Sequence, residues 1–447
     1  MPHRGIAEQT EQTGQTDMLP ALFRLIGRLF FREIVIEGRE HLPSQGPAIL
    51  ALNHPNDLLD PLLTLFLSPP LRLRHIAKAP LFRVPVVGGI LRRMRAIPVL
   101  RRRESPGPID YTPFFEACVD ALADGETVVI FPEGGSYERA FLGPLRTGAA
   151  RMHFLARAKG IEAPIIPVGI NYEEGSIFRS SVLLLAAEPV SGDRLASLYA
   201  SDPAAAVREL TAEVQRVLGE HVFQAETYQD RELIVLLERI YHESGPGEQW
   251  AARYRRLTAF KERVSAMRRS CPAEMRRLRR QVARYRRLSR IAGTRTGETP
   301  RSPGEDLLGA LGSLAAWTGW AFNWVPYRIV RWLLERRRIP RTDIATMTIA
   351  WSLLVFPLAY VAEAVLIGTA LGWPAALLFG AGILPLTWLT LRYFEWHETL
   401  GIRPSAPHAF FGGRWSRHTE RRLRRLRERI VREVDRFPAA TSASPAP

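Results

Sequence analysis

Cysteine is almost absent from this chain, which has two cysteines, Cys118 and Cys271, among 447 residues. Two cysteines cannot form the disulfide framework of a small secreted domain, so the soluble parts fit a reducing compartment. Histidines and cysteines are also not clustered at metal-ligand spacings, and we expect no metal site. Residues 1–16 are polar and contain Glu8 and Glu11, where a signal peptide would need a basic start and an apolar core. We therefore expect no signal peptide there.

Acidic residues are too few to balance the basic ones. Lysine and arginine total 61 against 45 aspartates and glutamates, giving a formal net charge of +16. Such a charge favours an anionic partner: nucleic acid, an acidic lipid surface or phosphorylated substrates. Basic strands interleaved with aromatic residues, and zinc-ligand spacings, are both missing. We therefore expect anionic membrane lipids and phosphorylated small molecules as partners, and no nucleic acid.

Residues 33–202 alternate short apolar runs with helical patterns. The runs 48–52, 127–131 and 164–170 are typical of buried strands, whereas 114–122 and 148–159 have helical periodicity. This alternation predicts an α/β domain whose buried sheet is flanked by helices, with the site on loops at one edge of the sheet.

The regions on either side of this domain have a different character. Residues 1–18 form a polar N-terminal tail, and residues 19–32 combine large apolar side chains with Arg24 and Arg28. That pattern predicts a basic amphipathic helix that either lies on a membrane or caps the core, and we favour the membrane. Residues 203–304 predict arginine-rich helices followed by a linker, and 393–447 a basic cytoplasmic tail.

Long apolar runs are confined to residues 305–392. The stretches 344–367 and 371–391 are each long enough to span a bilayer, which takes about 20 residues, and they predict a transmembrane helical hairpin. Basic residues flank both ends of the hairpin, which places both ends in the cytoplasm under the positive-inside rule. The stretch 307–326 has basic flanks on both sides, so we expect a re-entrant or interfacial segment there.

Polar residues follow the strand 48–52 directly. Asn53 and His54 stand at the strand end, and Asp60 comes six residues after the histidine. Loops at strand ends often carry the chemistry of α/β proteins. The plain alternative is that Asn53 and Asp60 are only turn and helix-capping residues.

Four sequence blocks occur in order within the first 180 residues: Asn53-His54 with Asp60, then 96–101, 131–134 and 166–169. Together they resemble the phospholipid/glycerol acyltransferase family, most closely the fungal-type glycerol-3-phosphate/dihydroxyacetone-phosphate acyltransferases and their bacterial relatives. The resemblance implies a glycerol-3-phosphate acyltransferase-like sheet. It also implies acyl transfer from acyl-CoA or acyl-carrier protein to glycerol-3-phosphate or lysophosphatidate, without a cofactor. The expected location is the bacterial inner membrane, with the catalytic domain in the cytoplasm.

The resemblance assigns a role to each matched residue. His54 would be the general base that removes the acceptor's hydroxyl proton, and Asp60 would bind its second ring nitrogen. Arg101 would bind the acceptor's phosphate, since guanidinium forms forked hydrogen bonds to phosphate. Substrate binding is also implied for three further residues: Asn53, Glu133 and Gly134.

The chain departs from the family pattern at two places. Five residues rather than four separate His54 from Asp60, so on a regular helix Asp57 would share the histidine's face and Asp60 would not. Asp60 can then serve only if the corner is non-helical, and Asp57 stays an alternative. The family's arginine after the third block is also missing, and Arg139 and Arg146 are the candidates to replace it.

Three other functions are compatible with the sequence. A transacylase moving chains between phospholipids would use the same base. A non-enzymatic membrane scaffold would retain the four blocks without using them for catalysis. A nucleic-acid-binding membrane protein is suggested by the net charge alone.

Overall fold

A computed structural model gives the fold of the protein. It describes residues 18–67, 72–101, 107–136, 141–173, 177–242, 249–292, 306–337, 339, 341–399 and 416–436. The chain divides into two compact units, of which the first comprises Met1–Gln224 with Pro340–Thr346 and the second comprises Ala225–Ile339 with Met347–Pro447. The predicted linker before residue 305 lies largely outside the described residues.

Seven strands of the described residues form one mixed sheet in the first unit. They are β1 (Glu33–Glu37), β2 (Ala48–Leu52), β3 (Leu73–Lys78), β4 (Ile97–Val99), β5 (Thr127–Ile130), β6 (Ile165–Tyr172) and β7 (Ser181–Ala186), in the order β1-β7-β6-β2-β5-β3-β4. The strands β6, β2, β5, β3 and β4 are mutually parallel, and β7 pairs with β6 in the antiparallel sense. All residues of β2, β5 and β6 are buried, as their continuous apolar runs predict.

Helices cover this sheet, which confirms the predicted α/β architecture. Those of the first unit are α1 (Met18–Phe30), α2 (Leu59–Thr64), α3 (Val87–Arg93), α4 (Thr112–Ala123), α5 (Gly148–Ala158), α6 (Ala196–Ser201) and α7 (Pro203–Glu220). The buried face of α7 includes Ala206, Leu210 and Val214, which pack into the same core as Ile49 and Ile165. The first compact unit extends to Gln224, and the end of the acyltransferase domain at residue 202 stays a prediction.

The amphipathic helix predicted at 19–32 is α1. Its inner face meets α2 and the turn after it: Gly27 lies against Leu62 and Phe66, and Nε of Arg24 donates to the carbonyl of Leu65 at 3.0 Å. Its exposed apolar side chains are Met18, Leu22, Leu25 and Leu29. Contact of this outer face with a membrane stays a prediction.

The second unit contains the predicted basic helices. They are α8 (Tyr228–His242), α9 (Trp250–Ser270), α10 (Pro272–Ala292) and α14 (Ser416–Asp435). Apolar side chains such as Leu237, Leu257, Leu278 and Ile430 are buried between them. Their arginines include partners of two buried carboxylates, Glu238 and Asp230.

Three long apolar helices complete the chain: α11 (Asp306–Arg336), α12 (Arg341–Leu371) and α13 (Trp373–Thr399). Two of them are long and apolar enough to cross a membrane by length and composition, over Thr342–Leu371 and Trp373–Glu395, and few of their residues are buried. Gly372 joins them with φ at 93°, a conformation that suits glycine.

The segment 307–326 lies within α11, one continuous helix that runs on to Arg336. In the second unit its Asn323 side chain accepts a hydrogen bond from the Tyr360 hydroxyl at 2.7 Å and donates one to Oγ1 of Thr387 at 3.0 Å. Polar side chains thus join α11 to α12 and α13. The re-entrant or interfacial location of the segment stays a prediction.

Candidate active site

The chain between β2 and α2 makes a non-helical corner over residues 53–58. Helix α2 begins at Leu59, and Asp60 stands in its first turn. The corner folds the Asp60 carboxylate back towards the strand end, where Nδ1 of His54 lies 2.8 Å from Oδ2 of Asp60. The spacing of five intervening residues is therefore compatible with a His54–Asp60 pair.

Asp60 is fully buried, and three groups donate hydrogen bonds to its carboxylate. Oδ2 accepts from the His54 ring and from the backbone N–H of Asn56 at 2.7 Å, and Oδ1 accepts from the Tyr172 hydroxyl at 2.5 Å. Burial raises the pKa of Asp60, and these hydrogen bonds oppose that effect. The pKa of Tyr172 is raised well above its ordinary value by burial and by the Asp60 charge, so its hydroxyl stays protonated and donates.

The His54 ring is fixed on one face as well as at Nδ1. The Phe131 ring stacks on it with the centroids 4.1 Å apart and an angle of 19° between the planes. Because Asp60 accepts from Nδ1, the neutral imidazole carries its hydrogen there, and Nε2 has its lone pair available. Nε2 has no hydrogen-bond partner among the residues that the structure describes, and Oδ1 of Asp57 lies 3.9 Å from it.

Asn53 joins two strands at this edge. Its amide nitrogen donates to the carbonyl of Ile170 at 3.0 Å, and its amide oxygen accepts from the Ile170 N–H at 2.7 Å. The side chain therefore links the end of β2 to β6 and fixes the backbone from which His54 projects. The substrate contact expected for Asn53 stays a prediction.

Glu133 also acts on the His54 backbone. Its Oε1 accepts from the His54 N–H and its Oε2 from the Gly143 N–H, both at 3.1 Å, and the residue is 8% exposed. One carboxylate thus joins the histidine corner to the loop that precedes α5. This placement makes Glu133 a support of the histidine, and direct substrate binding by it stays a prediction.

Gly134 follows with φ at 73°, and its missing side chain leaves room for an arginine. A Cβ atom at this position would lie 2.2 Å from Nε of Arg146, so the Arg146 side chain passes directly over the glycine. Arg146 is held by its backbone N–H, which donates to the carbonyl of Pro132 at 2.7 Å. Of the two candidates for the missing arginine, Arg146 therefore lies beside the third block, and Arg139 lies outside the described residues.

Arg101 lies farther along the sheet edge. It follows β4, which is separated from β2 by β3 and β5. Three strand spacings correspond to about 14 Å between the backbones of β2 and β4. A substrate would have to extend along the edge to meet both His54 and Arg101.

Polar groups that the sequence did not single out surround Asp57. Oδ1 of Asp57 accepts a hydrogen bond from the Ser136 hydroxyl and lies 3.9 Å from Nζ of Lys78. Burial raises the pKa of Asp57, but hydrogen bonds from Asp343 and Ser136, with the Lys78 charge, outweigh this and lower it. Their positions in the sequence could have indicated these residues. Lys78 and Tyr172 end strands β3 and β6, and Ser136 lies in the loop after β5, as His54 lies in the loop after β2.

A second buried histidine supports α2. The Thr64 hydroxyl donates to the Pro61 carbonyl at 2.6 Å and accepts from Nε2 of His75 at 2.7 Å, which ties β3 to the helix that carries Asp60. Burial lowers the pKa of His75 to about 4, so this histidine is neutral near pH 7. Among the residues that the structure describes, no group of three His, Cys, Asp or Glu side chains is arranged to hold a metal ion.

Residues 33–171 match the family model described as Acyltransferase. The chain is 31% identical over 136 residues to glycerol-3-phosphate O-acyltransferase 2 of Saccharomyces cerevisiae, covering 30% of this chain and 18% of the yeast protein. It is 30% identical over 175 residues to a chloroplastic 1-acyl-sn-glycerol-3-phosphate acyltransferase of Arabidopsis thaliana, covering 37% of this chain and 45% of that protein.

A bacterial relative is matched over most of its own length. The 1-acyl-sn-glycerol-3-phosphate acyltransferase of Bacillus subtilis is 26% identical over 180 residues, covering 39% of this chain and 83% of that protein. The match spans less than half the length of the yeast and Arabidopsis proteins. Residues 33–171, which match the family model, include His54, Asp60, Glu133 and Gly134 but not α12.

Proposed function

We propose that the protein is a membrane-bound glycerophospholipid O-acyltransferase, starting from the match of residues 33–171 to the Acyltransferase family model. It transfers an acyl chain from a thioester donor, acyl-CoA or acyl-carrier protein, to the hydroxyl of glycerol-3-phosphate or 1-acylglycerol-3-phosphate. The donor is a co-substrate, and we expect no cofactor.

The observation that carries this proposal is the 2.8 Å contact between Nδ1 of His54 and the buried Asp60 carboxylate. A neutral imidazole bonded in this way presents a basic nitrogen, Nε2, at a defined position. The carboxylate also stabilises the imidazolium that forms when Nε2 takes a proton. Imidazole has an unperturbed pKa of about 6.5, which suits proton transfer at neutral pH.

The reaction proceeds in two stages around this base. Nε2 of His54 removes the acceptor's hydroxyl proton as that oxygen attacks the thioester carbonyl and forms the new C–O bond. The tetrahedral intermediate then collapses, the C–S bond breaks, and the proton on Nε2 passes to the departing sulfur. The acceptor's oxygen is itself the nucleophile, so the step needs no covalent intermediate on the protein.

Cations near the strand ends support a phosphorylated acceptor. Arg146 lies over Gly134 and Lys78 lies near Asp57, while Arg101 follows β4. We propose that Arg101 and Arg146, with Arg139, contact the phosphate, since guanidinium forms paired, charge-assisted hydrogen bonds with it. Asn53, Glu133 and Gly134 then shape the backbone around the acceptor.

Two helices with the length and composition of membrane spans support attachment to a bilayer. The net charge of +16 favours the anionic inner surface of a bacterial plasma membrane, with the catalytic domain in the cytoplasm. Anionic donor, acceptor and lipid would all be concentrated there.

Substitution of the base tests the mechanism. His54→Ala in purified protein should lower turnover by roughly 10²- to 10⁴-fold, the usual contribution of a positioned base. His41→Ala is the matched control, because His41 bonds the carbonyl of Ala186, at the other end of β7 from Val182, the residue that pairs with Tyr172. Near-normal turnover of His54→Ala would show that the proposed mechanism is wrong.

Substrate choice requires a separate assay with labelled acyl-CoA. Glycerol-3-phosphate and lysophosphatidate should be offered separately to protein in detergent. Product from glycerol-3-phosphate would identify the first acylation step, and product only from lysophosphatidate the second. If neither gives product, acyl-carrier protein and a diacyl phospholipid are the next donors to offer, and failure with all of them would reject the proposed function.

A further inference from the structure

The loop between β3 and α3 exposes a group of apolar side chains. It comprises residues 79–87, called here the apolar loop, and it begins with a 3₁₀ turn, Ala79–Arg83. Its exposed apolar side chains are those of Leu81, Val84, Val86 and Val87. Single exposed apolar residues are common on protein surfaces, but four within seven consecutive residues form a patch, which indicates an interaction surface.

The most exposed of these side chains, that of Val86, stands in a strained turn and is 77% exposed. Its φ is 66° and its ψ is −57°, and the Val87 N–H donates to the carbonyl of Pro85 at 2.7 Å, which is the rare, strained form of the γ-turn. A positive φ is unfavourable for a β-branched residue. The Gly88 N–H holds the turn by donating to the carbonyl of Val84 at 2.8 Å. Strain of this kind is found at functional sites, and here it directs an apolar side chain into solvent.

The charges around the apolar loop have one sign. Residues 77–103 contain eight lysines and arginines and no aspartate or glutamate. Arg83 is exposed within the loop, and the exposed Arg92 donates from Nη1 to the carbonyl of Phe82 at 2.8 Å. An apolar segment among cations is typical of the surface of an anionic bilayer, where apolar side chains reach the acyl chains and cations stay at the headgroups. A second copy of the loop would instead bring like charges together.

The apolar loop begins at the active site. Nζ of Lys78, the last residue of β3, lies 3.9 Å from Oδ1 of Asp57, and that oxygen lies 3.9 Å from Nε2 of His54. The Asp57 N–H donates to the carbonyl of Thr342 at 3.4 Å. Thr342 belongs to the first unit and is the first residue of the candidate span Thr342–Leu371. The end of a span lies at the membrane surface, so the histidine corner and the start of the loop lie at that level.

We propose that the apolar loop inserts its exposed side chains into an anionic bilayer beside the active site. The inserted loop holds His54 close to the lipid surface, where the acyl chain of a substrate can stay among the lipids while its reacting group meets the base. The inference rests on the proposed membrane-bound acyl transfer, and it adds the surface through which the catalytic domain meets the bilayer.

Lipid quenching tests the insertion on the full chain in bilayer discs of phosphatidylethanolamine and phosphatidylglycerol. Val86→Cys carries a fluorophore in a Cys271→Ser background, since the other cysteine, Cys118, is buried. A nitroxide on the lipid acyl chains should reduce its emission several-fold, because an inserted apolar segment lies about 5–10 Å deep at the boundary of headgroups and acyl chains. Absence of quenching would overturn the inference, and a fluorophore shielded from water but not quenched would identify a protein partner instead.

Leu155→Cys, labelled in the same background, is the matched control. Leu155 is also an exposed apolar side chain. It lies near the end of α5, which connects the parallel strands β5 and β6 and therefore returns the chain to the opposite edge of the sheet. The fluorophore there should keep its emission. Equal quenching at positions 86 and 155 would overturn the inference.

Two substitutions of Val86 separate lipid contact from structural support, with the fluorophore on Val84→Cys. Val86→Asp places a charge in the inserted segment and should remove most of the quenching. Val86→Gly adopts a φ of 66° without strain, so it should unfold at an equal or higher temperature and still reduce the quenching. A structural role of the valine side chain would instead lower the unfolding temperature of Val86→Gly. Unchanged quenching in both variants would overturn the inference.

Quenching is measured without substrates, so its outcome is separate from that of the acyl-transfer assay. If the wild type transfers acyl chains and the fluorophore at position 86 is not quenched, the inference alone is wrong. If that fluorophore is quenched and the wild type is inactive with every donor and acceptor, the proposed function fails and the contact of the loop with lipid stands.

Discussion

Two fully buried carboxylates, Asp60 in the first unit and Glu238 in the second, are held by different partners. Asp60 accepts hydrogen bonds from a histidine ring, a tyrosine hydroxyl and a backbone N–H. Glu238 accepts from two arginines: Arg253 at 2.9 Å, and Arg256 at 3.1 and 2.9 Å. Both satisfy the rule that a buried charge needs hydrogen-bonding partners.

The difference lies in whether a partner can exchange a proton. Guanidinium keeps its protons in proteins, so the Glu238 cluster can only hold helices α8 and α9 together. Imidazole can take up and release a proton, so in the proposed mechanism the charge of Asp60 stabilises a state that exists only during reaction. Although both carboxylates are fully buried, we therefore expect mutation of Glu238 to lower stability and mutation of Asp60 to lower turnover.

The largest effect should come from Asp60→Asn. The amide would donate to Nδ1 of His54 and favour the tautomer whose Nε2 carries the hydrogen, which cannot act as a base. We expect kcat to fall by about 10⁴-fold, as tautomer reversal does in hydrolase triads. Acyl-transfer kinetics measure this, with Asp202→Asn as control, because Asp202 only caps α7. A loss below tenfold would mean that Asp60 does not set the tautomer.

Glu238→Gln should act on stability instead. It replaces the buried charge that both arginines bond with a neutral amide, and breaking a buried ion pair typically costs about 3–5 kcal/mol. The thermal unfolding midpoint of protein in detergent should fall, while the specific activity of the folded protein stays unchanged. Glu335→Gln is the control, since its pair with Arg331 is exposed and should contribute little. A drop in kcat of the folded Glu238→Gln protein would break the contrast between the two carboxylates.

His75 can be compared with His54, because it is a buried histidine without a carboxylate partner among the described residues. Its folded-state pKa of about 4 lies below the value of about 6.5 in an unfolded chain, so the unfolded chain binds the proton first as pH falls. Stability should be full above pH 6.5 and should decrease by about 3 kcal/mol as pH falls from 7 to 4. His75→Gln keeps a donor for Thr64 and should lose that part of the pH dependence. Denaturant unfolding of both proteins at each pH measures it, and parallel pH curves would contradict it.

Local patterns predicted most of the sheet and its helices. The run 48–52 and the helix expected at 148–159 correspond to β2 and to Gly148–Ala158. Strand β7, Ser181–Ala186, was not predicted, because a short apolar run without periodicity is compatible with either helix or strand. Its pairing with β6 and β1, which are distant in sequence, decides its structure.

The candidate site, like the sheet, was predicted only in part from the sequence. The sequence blocks indicated His54 and Asp60 as residues of one corner, but spacing alone left Asp57 as an alternative. The non-helical path of residues 53–58 decides the geometry, and it is set by contacts such as that between Asp60 and Tyr172, from another strand. No periodic pattern could bring Thr342 to this corner, because its contact with Asp57 depends on how the chain returns to the sheet.

The position of the start of α12 has a consequence for synthesis of the protein. Asp343 follows Tyr172 by about 170 residues in the chain. At the usual rate of about 5–20 residues per second, a ribosome needs roughly 10–35 s to translate that stretch. The sheet, His54 and Asp60 therefore leave the ribosome well before the start of α12, where the Thr342 carbonyl accepts a hydrogen bond from the Asp57 N–H. A nascent chain forms this contact with the histidine corner only after the sheet has been translated, while the first of its two long apolar helices is being made.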